Sequence, residues 1–585
     1  MMVSFRRTFP LLFAVSLLFT MKTANAADTA AELLPASTLI YLEINDPLAS
    51  IDSFLNHSYV ADLKNMEPYK EFEQSPQYLQ GMTVLRVVEF QLGMTWRDAI
   101  KAISAGGVSL AFDPDTQGFA VLFKAEDSGE LHKVRDKVVK MARDDAKNKG
   151  EKDPYKVEQY RDVDVYITKD GGFLTHDDWL IVGNKSDLGK KLIDALLDGQ
   201  KNSFAQNKTY QTLRGKMKDD SVAWGFVNLE PLRHIEEEGL QKLFAGTTEE
   251  PAGEMLLGGV LEGIKNTPHV SFSLTSQANG LSLNLQMPHD PTQVSELREH
   301  YLGPQGSGRA NPLQEVPDML FGLSAYRDFS QMWLRAGDLF NAQVNDGIAQ
   351  ADSNLSTFFS GKDFGEDILG ALSPQIQFIA ARQNYPEDRP IPAIKIPAFA
   401  LLAEMKDPES TTREFRRIYQ SFIGFFNVIG AMEGNPQFDL DFESLENGEL
   451  ISAAPIPLVG EEQNKQAKIN YNFSPTVAFV GDQLIISSAS NLARSIAQSE
   501  RPKDNPKTDI NTEMKLVGPV LQSALADNKS HLIAQNMLKD GHTREEAEKQ
   551  IGLLLEVAKL FDSASLKLMT NDSQMSLRIG VELKE

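Results

Sequence analysis

Apolar residues follow strand-like and helix-like spacings along this chain, and the same succession of spacings occurs twice. Residues 119–123 are five apolar residues in a row, and residues 399–403 form a second such run 280 positions later. A short apolar run between turn residues predicts a strand that is buried on both faces. In both places a polar segment follows, and then a helix-spaced apolar pattern. The recurrence predicts one folding unit that is written twice.

Other segments repeat in the same order. Residues 178–182 match residues 482–486 at an offset of 304, and the alternating apolar positions of 272–285 match those of 566–579 at an offset of 294. Hairpin patterns interleaved with helices are typical of an α+β fold. We therefore predict two duplicated halves, each a largely antiparallel sheet with helices packed against it. The predicted halves are residues 27–302 and 313–585. Residues 303–312, rich in Gly and Pro, are predicted to be a flexible linker.

The first 26 residues have the parts of an export signal. Arg6 and Arg7 give a positive start, an apolar stretch follows, and Ala24-Asn25-Ala26 is a small-x-small cleavage site. We expect cleavage after Ala26 and a periplasmic or secreted protein. Arg6-Arg7-Thr8-Phe9 also fits a twin-arginine signal, so the general secretory and twin-arginine routes both stay open. No later window approaches twenty uninterrupted apolar residues, and no transmembrane segment is predicted in the mature chain.

Composition narrows the chemistry that the protein can perform. The chain has no cysteine, which excludes disulfides, thiolate metal sites and cysteine nucleophiles. Its formal net charge is −23, and loss of Arg6, Arg7 and Lys22 with the signal makes it −26. Such a surface repels phosphate backbones, so nucleic acid is not expected as a partner.

Several structural motifs resemble a known family. They are Leu34, Pro35 and Thr38 at the first strand, the helix pattern of residues 96–104, and the hairpin that ends at Phe123. In these positions the chain resembles a large domain-of-unknown-function family of exported bacterial proteins, which carry a Leu-Pro-x-x-Thr strand just after the signal peptide. The resemblance implies the α+β fold and export. It implies no activity, cofactor or catalytic residue.

The segment His176-Asp177-Asp178 is the best catalytic candidate, because an imidazole stands beside two carboxylates. His176 and Asp178 are the two residues we nominate. The equivalent stretch of the second half is Val480-Gly481-Asp482, and neighbouring residues on a strand point in different directions. A hairpin turn with surface acids is therefore the favoured interpretation.

Two acidic patterns suggest a cation site. Asp439, Asp441 and Glu443 alternate with apolar residues, which places three carboxylates on one strand face. They could bind a divalent cation, but such a row is more often the solvated face of an edge strand. The segment 113–118 begins like a calcium loop, yet its twelfth position is Lys124 rather than a carboxylate, and we predict a hairpin turn there.

The helix pattern around residues 415–429 is unusually aromatic. Phe422, Phe425 and Phe426 are candidates to line a pocket for a lipid or another apolar ligand. The alternative is that this helix covers the sheet of its own half.

Common catalytic signatures are absent from the sequence: no Gly-x-Ser-x-Gly, Ser-x-x-Lys, phosphate loop or His-Glu-x-x-His occurs. No cofactor is predicted. The function expected is therefore a non-catalytic periplasmic or envelope protein that binds an envelope component or an apolar ligand. The alternative is an exported hydrolase with its site between the two halves, which would use His176 and Asp178. A purely structural envelope component is a third hypothesis.

Overall fold

The computed structural model describes residues 29–200, 202–217, 221–234, 251–277, 279–359, 361–385, 387, 389–461, 463–502 and 509–584. The predicted signal peptide lies outside these residues and stays a prediction. Contacts between residues divide the chain into two units. Unit 1 contains residues Met1–Ile235 and Pro268–Gln286, and unit 2 contains Glu236–Thr267 and Met287–Lys584.

The strands of unit 1 form one antiparallel order, β4-β5-β6-β7-β3-β2-β1-β8-β9-β10. Their bounds are β1 (Ile40–Ile44), β2 (Val108–Asp113), β3 (Gly118–Lys124), β4 (Lys156–Tyr160), β5 (Val163–Ile167), β6 (Gly172–His176), β7 (Trp179–Gly183), β8 (Ser221–Asn228), β9 (His269–Gln277) and β10 (Gly280–Pro288). The α-helices of unit 1 are α1 (Ala30–Leu33), α2 (Pro47–Leu55), α3 (Ser58–Asn65), α4 (Glu67–Glu73), α5 (Pro76–Leu92), α6 (Trp96–Ser104), α7 (Ser128–Asn148), α8 (Ser186–Asp198) and α9 (Lys208–Arg214).

Unit 2 has the same order with every number raised by ten, β14-β15-β16-β17-β13-β12-β11-β18-β19-β20. Its strands are β11 (Met319–Tyr326), β12 (Leu372–Ala381), β13 (Ala398–Met405), β14 (Phe438–Leu445), β15 (Gly448–Pro455), β16 (Thr476–Val480), β17 (Gln483–Ser487), β18 (Ile510–Val517), β19 (Phe561–Thr570) and β20 (Gln574–Leu583). Its α-helices are α10 (Pro251–Asn266), α11 (Glu299–Leu302), α12 (Phe329–Leu334), α13 (Ala336–Leu339), α14 (Ala342–Phe358), α15 (Pro408–Glu433), α16 (Ser490–Gln498), α17 (Gly518–Asp527), α18 (Lys529–Asp540) and α19 (Arg544–Leu560).

The α+β class and the duplication predicted from the sequence are confirmed. The repeat extends to single residues, since Leu122 pairs with Ile181 in unit 1 and Leu402 pairs with Ile485 in unit 2. The helix caps repeat as well. The Asp127 carboxylate accepts a hydrogen bond from a backbone N–H at the start of α7, and Asp407, 280 positions later, does the same for α15.

Each sheet has one face covered by a helix. In unit 1, Leu188, Leu192 and Ile193 of α8 pack on a buried cluster that contains Leu122 and Ile181. In unit 2, the helix α16 packs in the same way on the cluster around Leu402 and Ile485. The opposite faces are covered only in part. There α6 and α7 pack over Phe123, and α15 packs over Phe479 and Val477.

The segment predicted to be a flexible linker is instead packed within unit 2. Gly303 and Gly306 adopt positive φ angles of 74°, which glycine tolerates at little cost, and they fold the segment back on itself. The N–H of Gly308 donates to the carbonyl of Leu302, and the N–H of Ala310 donates to that of Ile510. Composition alone does not show this packing, because Gly-rich segments serve both as linkers and as tight turns.

The predicted halves and the observed units differ at their border. By sequence, helix α10 and residues 287–302 fall in the first half, 27–302. Their contacts place them in unit 2. A duplicated sequence defines which elements form, whereas the side chains that surround each helix decide where it packs.

Candidate apolar surface and tested site residues

The residues at both ends of helix α15 and its apolar spacing explain why this helix forms. Asp407 caps its first turn, Pro408 fits the first helical position, and Gly434 ends it with a φ of 68°. Phe415 and Ile423 are buried, and Phe415 packs on the sheet. Between them the Tyr419 hydroxyl donates to the carbonyl of Pro475 over 2.7 Å, and burial raises the pKa of Tyr419.

The second half of α15 is held against strand β14. The Asn427 side chain donates to the carbonyl of Phe438 over 2.9 Å and accepts from the N–H of Phe438 over 2.7 Å. This paired contact fixes the rotation of the helix about its own axis. Five large apolar residues in this half of α15 are nevertheless exposed to solvent.

These residues form what we call the α15 aromatic surface: Phe422, Phe425, Phe426, Val428 and Met432. Phe425 is 44% exposed and Met432 is 83% exposed. The Phe422 and Phe426 rings meet edge to face with centroids 4.5 Å apart, and Phe425 lies 6.2 Å from Phe426. The three phenylalanines predicted to line a pocket therefore lie on an exposed surface. The alternative, in which this helix covers the sheet of its own half, holds for Phe415, Ile418 and Tyr419.

The three predicted cation ligands are not gathered around one point. Glu443 binds Arg494 through an ion pair of 2.7 Å, and this contact lowers the pKa of Glu443. Asp439 and Asp441 are exposed on β14, the first strand of the sheet order. Within the described residues, no group of three or more His, Asp and Glu side chains is arranged to hold a metal ion. The row therefore shields an edge strand, as charges on edges commonly do.

The calcium-like segment is a hairpin turn between β2 and β3. The carboxylate of Asp113 is buried and accepts hydrogen bonds from Ser37 at 2.6 Å and from Thr116 at 2.7 Å, with Lys191 at 3.2 Å. These contacts occupy the carboxylate as a structural anchor of the turn.

His176 and Asp178 lie at the two ends of the turn that joins β6 and β7. The Asp178 carboxylate pairs with Lys124 at 3.6 Å, and its backbone carbonyl accepts from the N–H of Ala125 at 2.8 Å. His176 Nε2 is 3.7 Å from the carboxylate of Asp177, whose side chain is exposed and whose φ is 46°. The contacts of Asp178 therefore join the hairpin to the end of β3, and the contact of His176 lies within the turn.

The structure contains a buried polar cluster that the sequence did not indicate. Arg327 is 3% exposed and donates to the carbonyls of Met255 at 2.7 Å and Leu256 at 2.9 Å, and to Asn511 Oδ1 at 3.2 Å. Burial lowers its pKa to about 10. Nearby, Arg298 pairs with Glu254 in the protein interior. These contacts attach helix α10 to the remainder of unit 2. The bonded residues are 44 to 184 positions apart in the sequence, so no sequence motif marks them.

The helices α2–α5 expose a further set of apolar residues. Among the side chains that the structure describes in this segment, only Pro47, Ser50, Val60 and Leu92 are buried. The exposed ones are Phe54, Phe72, Leu79, Val84, Val87 and Phe90. Apolar residues on all sides of a helix usually indicate burial, so the sequence pattern gave no indication of this exposure.

Membrane spans are not found among these elements. In the part of the chain that the structure describes, no helix combines the length and the apolar character needed to cross a bilayer.

Comparisons with known proteins give little that bears on function. No family model matches the sequence, and no curated protein matches it. Among solved structures, crystal form IV of TP0453 is similar with a TM-score of 0.24 and 8% identity, covering 45% of this chain and 81% of that one. Crystal form I of TP0453 has a TM-score of 0.25 and 11% identity, covering 45% and 79%. Likenesses of this size carry no argument about the fold or function of this chain.

Proposed function

We propose that this protein is an exported, non-catalytic binding protein of the periplasm or envelope that takes an apolar ligand. The observation that carries the proposal is the α15 aromatic surface, where five large apolar side chains of one helix lie exposed. Contiguous exposed apolar residues usually mark a binding surface. Export of the mature chain is part of the proposal and rests on the signal pattern of residues 1–26.

The hydrolase alternative has less support. Its nominated residues, His176 and Asp178, are engaged in a hairpin turn, and Asp178 is paired with Lys124. The α15 aromatic surface, in contrast, is open to solvent, with Phe425 44% and Met432 83% exposed.

A single labelled position tests the proposal. Because the chain has no cysteine, Phe425→Cys can be labelled with the environment-sensitive dye acrylodan. Addition of a lipid extract from the host envelope should shift the dye emission to shorter wavelength as apolar contacts replace water. The same label on the fully exposed Val459→Cys serves as the control. Unchanged emission at position 425 would contradict a role for this surface.

A further inference from the structure

A continuous row of apolar side chains crosses the partly covered face of the unit 1 sheet. Directly paired residues on neighbouring antiparallel strands lie on the same face. Following the pairs from β5 through β6, β7, β3 and β2 to β1 gives a single row. Its members, which we call the first apolar row, are Tyr166, Phe173, Val182, Val121, Leu110 and Leu42. At about 4.8 Å per strand, the row is about 24 Å long.

Unit 2 contains the same row at equivalent strands. The pairs run from β15 through β16, β17, β13 and β12 to β11. The second apolar row therefore consists of Ile451, Val477, Ile486, Leu401, Phe378 and Leu323. The pairs Val182 and Ile486 (offset 304) and Val121 and Leu401 (offset 280) have the offsets found in the sequence repeat. Both copies of the unit thus keep an apolar residue at each of the six positions.

Most of these side chains remain accessible although the opposite sheet face is covered. None of the six residues of the first apolar row is buried, and Val182 is 38% exposed. In the second row Ile451 and Val477 are buried beneath α15, whereas Ile486 is 43% exposed. Leu401 is also exposed, and Phe378 and Leu323 are half-buried. In the described residues this apolar surface is closed only in part, since the Tyr155 ring packs against Tyr166 and Phe173 and helix α15 covers Ile451 and Val477.

The side chains of the two rows favour a hydrocarbon ligand. Their side chains carry one polar atom among them, the hydroxyl of Tyr166, so they offer a ligand apolar contact and almost no hydrogen bonds. The strands beneath them have a paired neighbour on each side, which commits their backbone groups. A peptide therefore cannot bind over the rows by adding a strand.

Charge and shape disfavour larger occupants. A second copy of this chain also carries a net charge of −23, so like charges oppose contact between two copies. Val121 and Leu180 pack beside the cluster formed by α6 and α7, so protein rises next to the first row. Each strand contributes one side chain to the row, a width that matches a single hydrocarbon chain better than a flat bilayer.

We propose that each row is a docking site for an acyl chain of one phospholipid, so that the protein binds two lipids at equivalent places. The proposal rests on the apolar binding role given above, but it does not depend on the α15 aromatic surface. The uncharged chain avoids the repulsion that the acidic protein exerts on anionic groups.

Paired aspartate variants test this directly. The mature protein, residues 27–585, is delipidated, incubated with palmitoyl-oleoyl phosphatidylethanolamine below vesicle-forming concentration, and weighed by native mass spectrometry. The wild type should carry two lipids at the rows, Val182→Asp and Ile486→Asp should each lose one of them, and the double variant should lose both. A buried carboxylate against an acyl chain should weaken binding at its own site by about tenfold or more. Val459→Asp, at a fully exposed position, is the matched control and should keep both lipids.

The outcomes separate this proposal from the broader one. Because Val182 and Ile486 are partly exposed, both variants should retain the circular dichroism spectrum of the wild type. A second measurement introduces no charge into the rows: the variants Val182→Cys and Ile486→Cys are labelled with acrylodan. The dye emission of both should shift to shorter wavelength when lipid is added. If the wild type binds lipid but both aspartate variants still carry two, the rows are not the site. The same conclusion follows if the protein binds only intact vesicles, or binds lipid only as a dimer. If the wild type takes up no lipid from this probe and no apolar molecule from its envelope, the proposed function itself fails.

Discussion

Substitutions at two phenylalanines of helix α15 should have opposite consequences. Phe415 is 9% exposed and packs in the cluster that contains Met405, Ile451 and Phe479. Truncation of a buried Phe to Ala usually costs about 3–5 kcal/mol, because a cavity remains. Phe425 lies on the same helix but is 44% exposed. Its replacement by Asp should lower the free energy of unfolding by about 1 kcal/mol at most, as surface substitutions do.

Urea unfolding followed by circular dichroism measures both changes. Phe415→Ala should move the transition of unit 2 to clearly lower urea concentration, whereas Phe425→Asp should leave it nearly unchanged. If Phe425→Asp destabilised the protein as strongly as Phe415→Ala, Phe425 would be a core residue and the α15 aromatic surface would not be a binding surface.

Three further predictions concern single residues. Burial lowers the pKa of His300, whose Nε2 is buried without a hydrogen-bond partner, so the unfolded state takes up a proton first as pH falls below about 6.5. The free energy of unfolding should then decrease from pH 7 to pH 5, and His300→Leu should flatten that slope; a slope unaffected by the variant would contradict this role. Arg327→Met should destabilise unit 2 by about 3 kcal/mol in urea titrations, since buried carbonyls lose their donors; an unchanged midpoint would show that these hydrogen bonds contribute little. His176→Ala should change neither stability nor any hydrolytic activity found with the wild type, and loss of such activity would revive the hydrolase hypothesis.

The sequence predicted the repeated strands well because each pattern is local. An offset measured between short apolar runs, such as 294 for residues 272–285 and 566–579, reproduces the pairing of Leu274 with Leu283 and of Leu568 with Leu577. Register follows from which residues of a strand are apolar, and the pattern of apolar residues is present in each strand separately.

Exposure could not be predicted in the same way. The helical spacing of Phe415, Phe422 and Phe425 shows that α15 is apolar, but not which of these side chains its neighbours cover. Phe415 and Phe422 are seven residues apart and share a helix face. They differ because Phe415 packs in the cluster on the sheet, whereas Phe422 is 41% exposed. The apolar rows were also hidden, because each strand contributes one residue and only the register places them side by side.

The central claim is that the protein binds an apolar ligand, and the most direct test is to detect that ligand on the protein. The mature protein should be isolated from the envelope fraction of its own host without detergent exchange and weighed by native mass spectrometry. A bound lipid, or another apolar molecule that is released by organic solvent, is the expected result. A clean mass of the protein alone would contradict it. As a control, the variants Phe425→Cys and Val182→Cys, isolated in the same way, should remain accessible to labelling.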